Sequence, residues 1–222
     1  MISIIIPALD EEKALPATLA AVLAQDGAPE TIVVDGGSRD ATCTIARAAP
    51  GVRLMTAPRG RAAQMNAGAR EARGEWLLFL HADTVLPAGA LESIDGLPAL
   101  VEAGCFRHAF NHPHPLLSLI SRLHNWRFML THIMYGDEAM FVRRRVFEEA
   151  GGFPEADLED VKLSERLRER TVPVMLAETV ITDSRKFLAH GIIRSFARIL
   201  LILVCHRLRL PLMGRRFLDP VR

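Results

Sequence analysis

The chain has 222 residues and a mass of 24.6 kDa, which is enough for one large domain with a sizeable core. Hydrophobic residues make up 50% and charged residues 24%, a composition that excludes disordered and collagen-like proteins. The net charge of +1 conceals a basic end: from Arg185 onward there are nine Lys and Arg against one acidic residue, Asp219. The basic end therefore predicts contact with something anionic, either phosphates or a membrane surface.

The three cysteines lie far apart without a C-x-x-C pair, so the sequence predicts neither disulfides nor a zinc cage and favours a reducing compartment. The opening MISIIIPALDEE has no basic segment and no cleavage site, which is typical of a strand and not of a signal peptide. The longest apolar run, residues 199–205, is well short of the roughly 20 residues that span a bilayer. We therefore expect a cytoplasmic protein whose basic end is suited to the inner face of the membrane.

Strands and helices are predicted to alternate over the first 85 residues. Continuous apolar runs predict buried strands at residues 2–8, 31–35 and 76–81, and a further strand is predicted at residues 52–56. Helical spacing predicts helices at residues 11–24, from an N-cap at Ser38 to residue 48, and at residues 60–72. Short loops between these elements favour a doubly wound parallel sheet, with its ligand at the carboxyl ends of the strands.

The alternation weakens after Pro87. Helices are predicted at residues 88–101, 116–130, before Gly151, at 158–170 and at 190–208, with strands at 105–110, 139–142 and 172–176. In the last helix Arg194, Arg198 and Arg209 fall near one face, and apolar residues cover much of the rest. We therefore divide the chain into a domain of residues 1–186 and a basic amphipathic helical tail of residues 187–222. The tail is predicted to pack on the body, to contact a membrane or to form a homodimer.

Polar residues at three predicted loops are candidates for binding a ligand. Asp35 ends the second strand, where a carboxylate binds a base or ribose, or closes a turn. Asp83 follows the fourth strand, where a carboxylate can bind a Mg²⁺ or Mn²⁺ ion that bridges two phosphates; the alternative is that it caps a turn. The side chain of His81, two residues earlier, is expected to pack inside the protein. Arg61 and Gln64 lie at the start of a predicted helix, where backbone N–H groups favour anions. The alternative is that they form a polar face of that helix.

Three further groups of polar residues lie in the second half of the chain. Glu159 and Asp160 are candidates for a general base. The alternative is that, at the start of a helix, they complement its dipole. Arg185 and Lys186 offset the charge of a leaving group, or are a solvated basic pair. Five of the eight histidines lie between residues 108 and 132 without a known metal-ligand spacing, so we assign them to an acceptor pocket or the surface.

Seven segments together carry a family resemblance. In chain order they are IIIPALDEE, VVDGGSRDAT, GRAAQMNAG, WLLFLHADT, GDEAMFVRR, GGFPE and LEDVKLSERL. From residue 2 to about residue 186 the chain resembles family 2 glycosyltransferases. It looks most similar to the bacterial subgroup described as arsenosugar-biosynthesis or radical-SAM/selenodomain-associated glycosyltransferases. The resemblance implies an α/β protein with the GT-A fold: a Rossmann-like, mostly parallel sheet flanked by helices, followed here by the helical tail.

The resemblance also implies a role for each matching residue. On the donor side, Pro7, Ala8 and Glu11 would line the nucleoside pocket, Asp35 would bind the base, and Arg61 and Gln64 would lie near the donor. Ala82 and Asp83 would occupy the metal-binding D-x-D position, and Arg185 and Lys186 would lie near the diphosphate. On the acceptor side, Gly136 and Asp137 would border the acceptor, and Asp160 would be the catalytic base of the E-D motif beside Glu159. The chain departs from the pattern twice. His81 replaces the first carboxylate of D-x-D, and Gly36 replaces the usual Asp or Asn after Asp35.

The implied reaction is an inverting transfer of a sugar from a nucleotide diphosphate sugar, UDP favoured, to an acceptor hydroxyl. Mn²⁺ or Mg²⁺ would assist, and no nucleic acid is expected as a partner.

A Rossmann dehydrogenase needs G-x-G-x-x-G after the first strand, where this chain has PALDEE. A phosphatase with an Asp nucleophile would have D-x-D after the first strand, not the fourth. A non-catalytic nucleotide-binding or membrane-associated scaffold would need Asp35 and the tail but not Asp160, and hydrolysis of donor sugars distinguishes it from an enzyme.

Overall fold

The computed structural model describes residues 1–208 and 210, so Arg209 of the predicted tail lies outside the described residues. The strands are β1 (Ile2–Ala8), β2 (Glu30–Asp35), β3 (Val52–Thr56), β4 (Trp76–Phe79), β5 (Thr84–Val85), β6 (Ala103–Phe110), β7 (Phe141–Arg143) and β8 (Val174–Thr182). The helices are α1 (Leu15–Leu23), α2 (Thr42–Ala48), α3 (Arg61–Glu71), α4 (Ala90–Asp95), α5 (Pro115–Thr131), α6 (Arg144–Glu149), α7 (Glu159–Arg168), α8 (Arg185–His190) and α9 (Ile192–Arg207). A 3-10 turn spans Gly136–Glu138.

The strands form one sheet in the order β3-β2-β1-β4-β7-β6-β8-β5. β1 pairs in parallel with β2 and β4, and β2 pairs in parallel with β3, as the alternation of the first 85 residues predicts. β7 is antiparallel to both β4 and β6, and β5 is antiparallel to β8. β6 pairs in parallel with β8, so four of these seven pairings are parallel, and the predicted α/β class with a mostly parallel sheet is confirmed.

Both faces of the sheet are buried by helices. β1 is buried along its whole length, and its residues alternate between two cores: Ile5 joins the core under α3, α6 and α7, whereas Ile4 and Ile6 join the core under α1, α2 and α4. α3 packs closely on the sheet, since a Cβ on its Gly68 would lie 2.5 Å from Cγ2 of Ile5. This two-sided burial explains the continuous apolar runs of the first strands.

Several predicted boundaries are wrong. Ser38 does not cap α2, which begins at Thr42; its hydroxyl accepts the N–H of Asp10 instead. β4 ends at Phe79, so His81 and Asp83 lie in the following loop, and α4 is much shorter than the predicted helix of residues 88–101. β8 extends to Thr182 because a register shift between Phe106 and Arg107 lets its pairing with β6 continue.

The helix predicted at residues 190–208 corresponds to α9; Gly191, whose φ of +83° is in the region that favours glycine, separates it from α8, which was not predicted. α9 packs on the body, where Ile202 joins a small core with Leu158 and Val161. The predicted domain boundary at residue 186 falls inside α8. Within residues 1–208 and 210, none of the helices has the length and apolar character that crossing a bilayer requires.

Candidate active site

A cavity of about 280 Å³ opens at the carboxyl ends of β1 and β4, and we call it the strand-end cavity. Its lining residues are Pro7, Ala8, Leu9, Glu11, Arg59, Gly60, Arg61, Gln64, His81, Ala82, Asp83, Arg185 and Lys186. All the residues predicted to bind the nucleotide sugar are among them except Asp35. His81 lines this cavity and also packs against Gly136. Sequence reasoning missed Arg59, because a single arginine in a loop carries no pattern.

The loop that follows β1 is tied to the loop that follows β2. The N–H of Glu11 donates to the Thr42 hydroxyl at 2.8 Å, and the N–H of Glu12 donates to Asp40 at 3.0 Å. In the opposite direction, the N–H of Arg39 donates to Asp10 at 2.8 Å. These hydrogen bonds hold the PALDEE segment along the edge of the cavity.

Gln64 is buried beneath the cavity and joins two strand ends. Its Nε2 donates to the carbonyl of Ala8 at 2.9 Å and to that of Val34 at 2.8 Å. A Cβ on Gly36 would lie 2.9 Å from Oε1 of Gln64, so a larger residue at position 36 would displace this amide. Gln64 is therefore not part of a solvated polar helix face, and its position accounts for the glycine where the resemblance leads one to expect Asp or Asn.

Asp35 closes the turn after β2. It is 3% exposed, and its carboxylate accepts the N–H of Gly37 at 2.9 Å and that of Ser38 at 3.1 Å. This is the turn geometry that the sequence offered as the alternative to base binding. Its role toward a base stays a prediction.

Arg185 lies between two carboxylates of the strand-end cavity. Its guanidinium forms an ion pair with Glu11 and lies 3.9 Å from Oδ2 of Asp83. Burial raises the pKa of Glu11, and the hydrogen bond from Arg185 opposes this rise. The N–H of Asp183 donates to the carbonyl of Asp83 at 3.0 Å, which brings the end of β8 to this loop. The pair escaped sequence reasoning because its residues are 174 positions apart.

The residues around Asp83 fit a divalent cation that arrives with a diphosphate. Mg²⁺ is commonly held by one or two carboxylates together with substrate phosphates, and Asp83 supplies one carboxylate on the cavity wall. Within the part of the chain that the structure describes, the one group of three side chains able to ligate a metal lies elsewhere. It consists of His108, His124 and Asp137, whose ligating atoms are all within 4.8 Å of one another.

The two acidic residues of the E-D motif begin α7 and have different partners. Glu159 is buried, and its Oε1 lies 2.7 Å from Nε of Arg61. Oδ2 of Asp160 accepts the N–H of Gly136 at 2.7 Å, and its Oδ1 accepts the N–H of Val161 at 2.8 Å. Glu159 is thus neutralised by a cation of the strand-end cavity, while Asp160 faces the segment predicted to border the acceptor.

Gly136 lies in close contact with His81, in the loop after β4, and with Asp160, at the start of α7. A Cβ at this position would lie 2.6 Å from Nε2 of His81 and 3.3 Å from Oδ2 of Asp160. The absence of a side chain therefore lets the 3-10 turn approach the H-A-D segment and the E-D motif at once.

Asp137, the next residue, joins a buried charge cluster. Its carboxylate lies 3.5 Å from Nε2 of His124 and 3.8 Å from that of His108, and His124 also lies 2.9 Å from Glu138. Burial opposes charge on His124, but Asp137 and Glu138 outweigh it and raise its pKa to about 10. Burial likewise opposes charge on Asp137, but the histidines lower its pKa. Arg127 completes the cluster with an ion pair to Glu138 at 2.9 Å.

Comparison with known proteins identifies one sequence family. Residues 3–97 match the family model "Glycosyl transferase family 2". Over 93 residues the chain is 45% identical to a PGL/p-HBAD biosynthesis glycosyltransferase of Mycobacterium bovis and to its counterpart in Mycobacterium tuberculosis, an alignment that covers 39% of this chain. The chain spans about a third of the length of these relatives, since the alignment covers 36% of them. The narrower arsenosugar-biosynthesis subgroup receives no support.

Solved structures resemble the chain over most of its length. Glucosyl-3-phosphoglycerate synthase from M. tuberculosis, in complex with Mn²⁺, UDP and phosphoglyceric acid, has a TM-score of 0.65 at 16% identity and covers 95% of this chain and 79% of its own. S. aureus TarS 1-349 has a TM-score of 0.64 at 17% identity, with coverage of 90% and 65%. Residues 3–97 thus match a glycosyl transferase family 2 domain, and the described chain around them has the GT-A fold.

Proposed function

We propose that this protein is an inverting glycosyltransferase that moves a sugar from a nucleotide diphosphate sugar, with UDP favoured, to an acceptor hydroxyl. The observation that carries the proposal is a single cavity lined by Arg61, Asp83 and Arg185, with Asp160 held beside it through Gly136. The family 2 match supports transferase chemistry. The UDP and GDP-mannose complexes of the structural neighbours support a nucleotide sugar as donor.

The charge of the strand-end cavity suits a diphosphate. Arg59, Arg61, Arg185 and Lys186 line it, and cationic side chains form strong hydrogen bonds with phosphate oxygens. Arg61 also begins α3, where free backbone N–H groups favour an anion. These groups would stabilise the negative charge that develops on the departing diphosphate.

We assign Asp83 as the protein ligand of Mn²⁺ or Mg²⁺, which when bound would supply further positive charge at the diphosphate. Arg185, 3.9 Å from Asp83, shares the task of offsetting the diphosphate charge from the protein side, where a single carboxylate binds the metal. The Mn²⁺ and Mg²⁺ complexes of the structural neighbours support this assignment.

Asp160 is the proposed general base. Glu159 is occupied by its ion pair with Arg61 at 2.7 Å, so it is the less available member of the pair. A carboxylate has about four acceptor positions, and Asp160 retains free ones after accepting the N–H groups of Gly136 and Val161. Asp160 would take the proton of the acceptor hydroxyl, whose oxygen attacks the anomeric carbon from the face opposite the diphosphate and inverts it.

Two measurements test the proposal: calorimetric titration with UDP, and release of UDP from a panel of UDP-sugars. The proposal expects binding together with slow donor hydrolysis that accelerates when an acceptor is supplied. Binding without any hydrolysis or transfer would favour the alternative, a non-catalytic nucleotide-binding or membrane-associated module. Absence of nucleoside diphosphate binding would overturn both.

We also propose that the chain divides into a catalytic domain (residues 1–186) and a tail (residues 187–222). We propose a cytoplasmic location for the protein and contact of its tail with a membrane or with a second copy of the chain. α9 buries Ile202 and Cys205 but exposes Ile193, Leu201 and Val204. Flotation with anionic vesicles at low salt tests membrane contact, and sedimentation equilibrium tests a dimer. A monomer that does not float would exclude both contacts.

A further inference from the structure

A second cavity, of about 350 Å³, lies between α5, β6, α8 and α9, and we call it the apolar cavity. Its walls are apolar side chains: Phe110, Ile120, Leu123, Trp126, Phe187, Phe196, Ile199, Leu200 and Leu203. Its polar groups are Tyr135 and four members of the charge cluster around Asp137: His108, His124, Arg127 and Asp137 itself. The cavity therefore combines hydrocarbon walls with a polar floor, the usual construction of a small-molecule site.

The floor contains buried polar atoms that lack hydrogen-bond partners among the described residues. Neither ring nitrogen of His108 has a partner, although its side chain is only 1% exposed. Oδ1 of Asp137 accepts no hydrogen bond either, although it lies 3.5 Å from Nε2 of His124. Buried polar groups are almost always satisfied, because leaving one unpaired costs its full desolvation. The floor thus has unused hydrogen-bonding capacity, which suits a ligand with a polar end.

The floor adjoins the proposed general base. Asp137 directly follows Gly136, whose N–H donates to Asp160. Gly136 itself lies against His81, a lining residue of the strand-end cavity. The 3-10 turn thus contacts both cavities, because its Gly136 lies against His81 of the strand-end cavity and its Asp137 lines the apolar cavity.

We infer that the apolar cavity is the acceptor site and that it takes an amphiphilic alcohol, a molecule with a hydroxyl on a hydrocarbon or aromatic body. The inference rests on the proposed function. The walls match the body by the hydrophobic effect, and the polar floor matches the end that carries the hydroxyl, whose proton passes to Asp160 during transfer. A polyol is a poor fit, because each further hydroxyl would lose water against walls that offer it no partner.

A metal ion is the rival occupant of the floor. His124 would have to be neutral to ligate it, whereas Asp137 at 3.5 Å and Glu138 at 2.9 Å favour the protonated ring. A protonated His124 with Arg127 already balances the two carboxylates, which leaves no net charge for a divalent cation to neutralise.

The chain contains its own reporter for this site. Of its two tryptophans, Trp126 lines the apolar cavity and is 61% exposed, whereas Trp76 is 2% exposed in the core. Titration with 1-octanol should change tryptophan fluorescence saturably, and Trp126→Phe should remove the change. Octyl methyl ether, which lacks the hydroxyl donor, should bind about tenfold more weakly, as the loss of one hydrogen bond implies. Inositol should produce no change.

Two adjacent leucines of α9 supply a matched pair of variants. Leu200 lines the cavity and is 47% exposed; Leu201 is 43% exposed and is not a lining residue. Leu200→Glu should weaken octanol binding about tenfold or more, because it puts a charge against the apolar body, and Leu201→Glu should leave it unchanged. Equal weakening by both variants would indicate adsorption to the surface and would overturn the inference.

UDP binding, measured on the same samples, separates the two proposals. Binding of UDP without octanol overturns the acceptor inference alone, whereas binding of octanol without any nucleotide contradicts the proposed function and the acceptor role with it. Tight Zn²⁺ binding that His108→Phe abolishes, without octanol binding, would assign the floor to a metal. When both ligands bind, octanol should accelerate UDP release from the donor and yield an octyl glycoside; the absence of this product would also overturn the inference.

Discussion

The backbone N–H of Gly136 donates to Oδ2 of Asp160 at 2.7 Å, which joins the 3-10 turn to the first turn of α7. Because Gly136 also lies against His81, this hydrogen bond connects three segments that are far apart in the chain. The orientation of the proposed base therefore depends on the turn as well as on its own helix.

Replacing Asp160 by Asn should abolish sugar transfer while nucleotide binding persists. The amide oxygen can still accept the N–H of Gly136, so only the hydrogen bond from the N–H of Val161 is lost, but the amide accepts no proton at neutral pH. Loss of a general base typically lowers the rate by about 10²–10⁴-fold. UDP release with acceptor present measures this, and Glu169→Gln at the exposed end of α7 is the control. Transfer by the Asp160→Asn variant at nearly the wild-type rate would move the role to Glu159 or Asp137.

Gly136→Ala should impair the protein through a collision with His81. The added Cβ would lie 2.6 Å from Nε2 of that ring, so one of the two segments must move. We expect a loss of about 1–3 kcal/mol in the free energy of unfolding, as for other overpacked sites, with reduced transfer. The double variant with His81→Ala should recover much of the stability, since it removes the colliding ring. Additive losses in urea unfolding would show that the two residues do not interact in this way.

UDP with Mn²⁺ or Mg²⁺ should raise the melting temperature more than UDP alone. A ligand that binds only the folded protein stabilises it, and Asp83 is the carboxylate assigned to the cation. Asp83→Ala should remove the metal-dependent part of the shift, whereas Arg185→Ala should reduce the shift by UDP and retain its dependence on metal. Asp95→Ala, at an exposed position of α4, is the matched control. A wild-type shift that EDTA does not alter would disprove the metal role of Asp83.

Stability should fall as the pH rises from about 7 to about 8.5, and His124 is the expected cause. Its pKa is about 10 in the folded protein, above the 6.5 of a free histidine. A group whose pKa is raised by folding stabilises the protein fully at a pH below its pKa in the unfolded chain, and this stabilisation disappears as the pH approaches its pKa in the folded protein. The slope is at most about 1.4 kcal/mol per pH unit for one proton. Urea unfolding of His124→Phe should lack this slope, while the exposed control His112→Ala should keep it; equal slopes in the wild type and His124→Phe would contradict the assignment.

Local sequence patterns were sufficient to predict the first half of the sheet and the edge at which the candidate site lies. Apolar runs at residues 2–8 and 31–35 correspond to β1 and β2, because strands buried on both faces are apolar along their whole length; β3, predicted at residues 52–56, is an edge strand and only partly buried. Since parallel strands end at one edge, the same pattern brought Pro7, Glu11 and Asp83 to one cavity.

Packing between distant segments determines which side chains pair across that edge. Arg185 and Glu11 meet because the end of β8 lies beside the loop after β4, and no local pattern reports a contact between residues 174 positions apart. The turn of Asp35 and the burial of Gln64 likewise depend on neighbouring strands. The histidines of residues 108–132 matched no motif, yet packing of α5 against β6 places His108 and His124 beside Asp137, because burial and ion pairing act on distances in space and not along the chain.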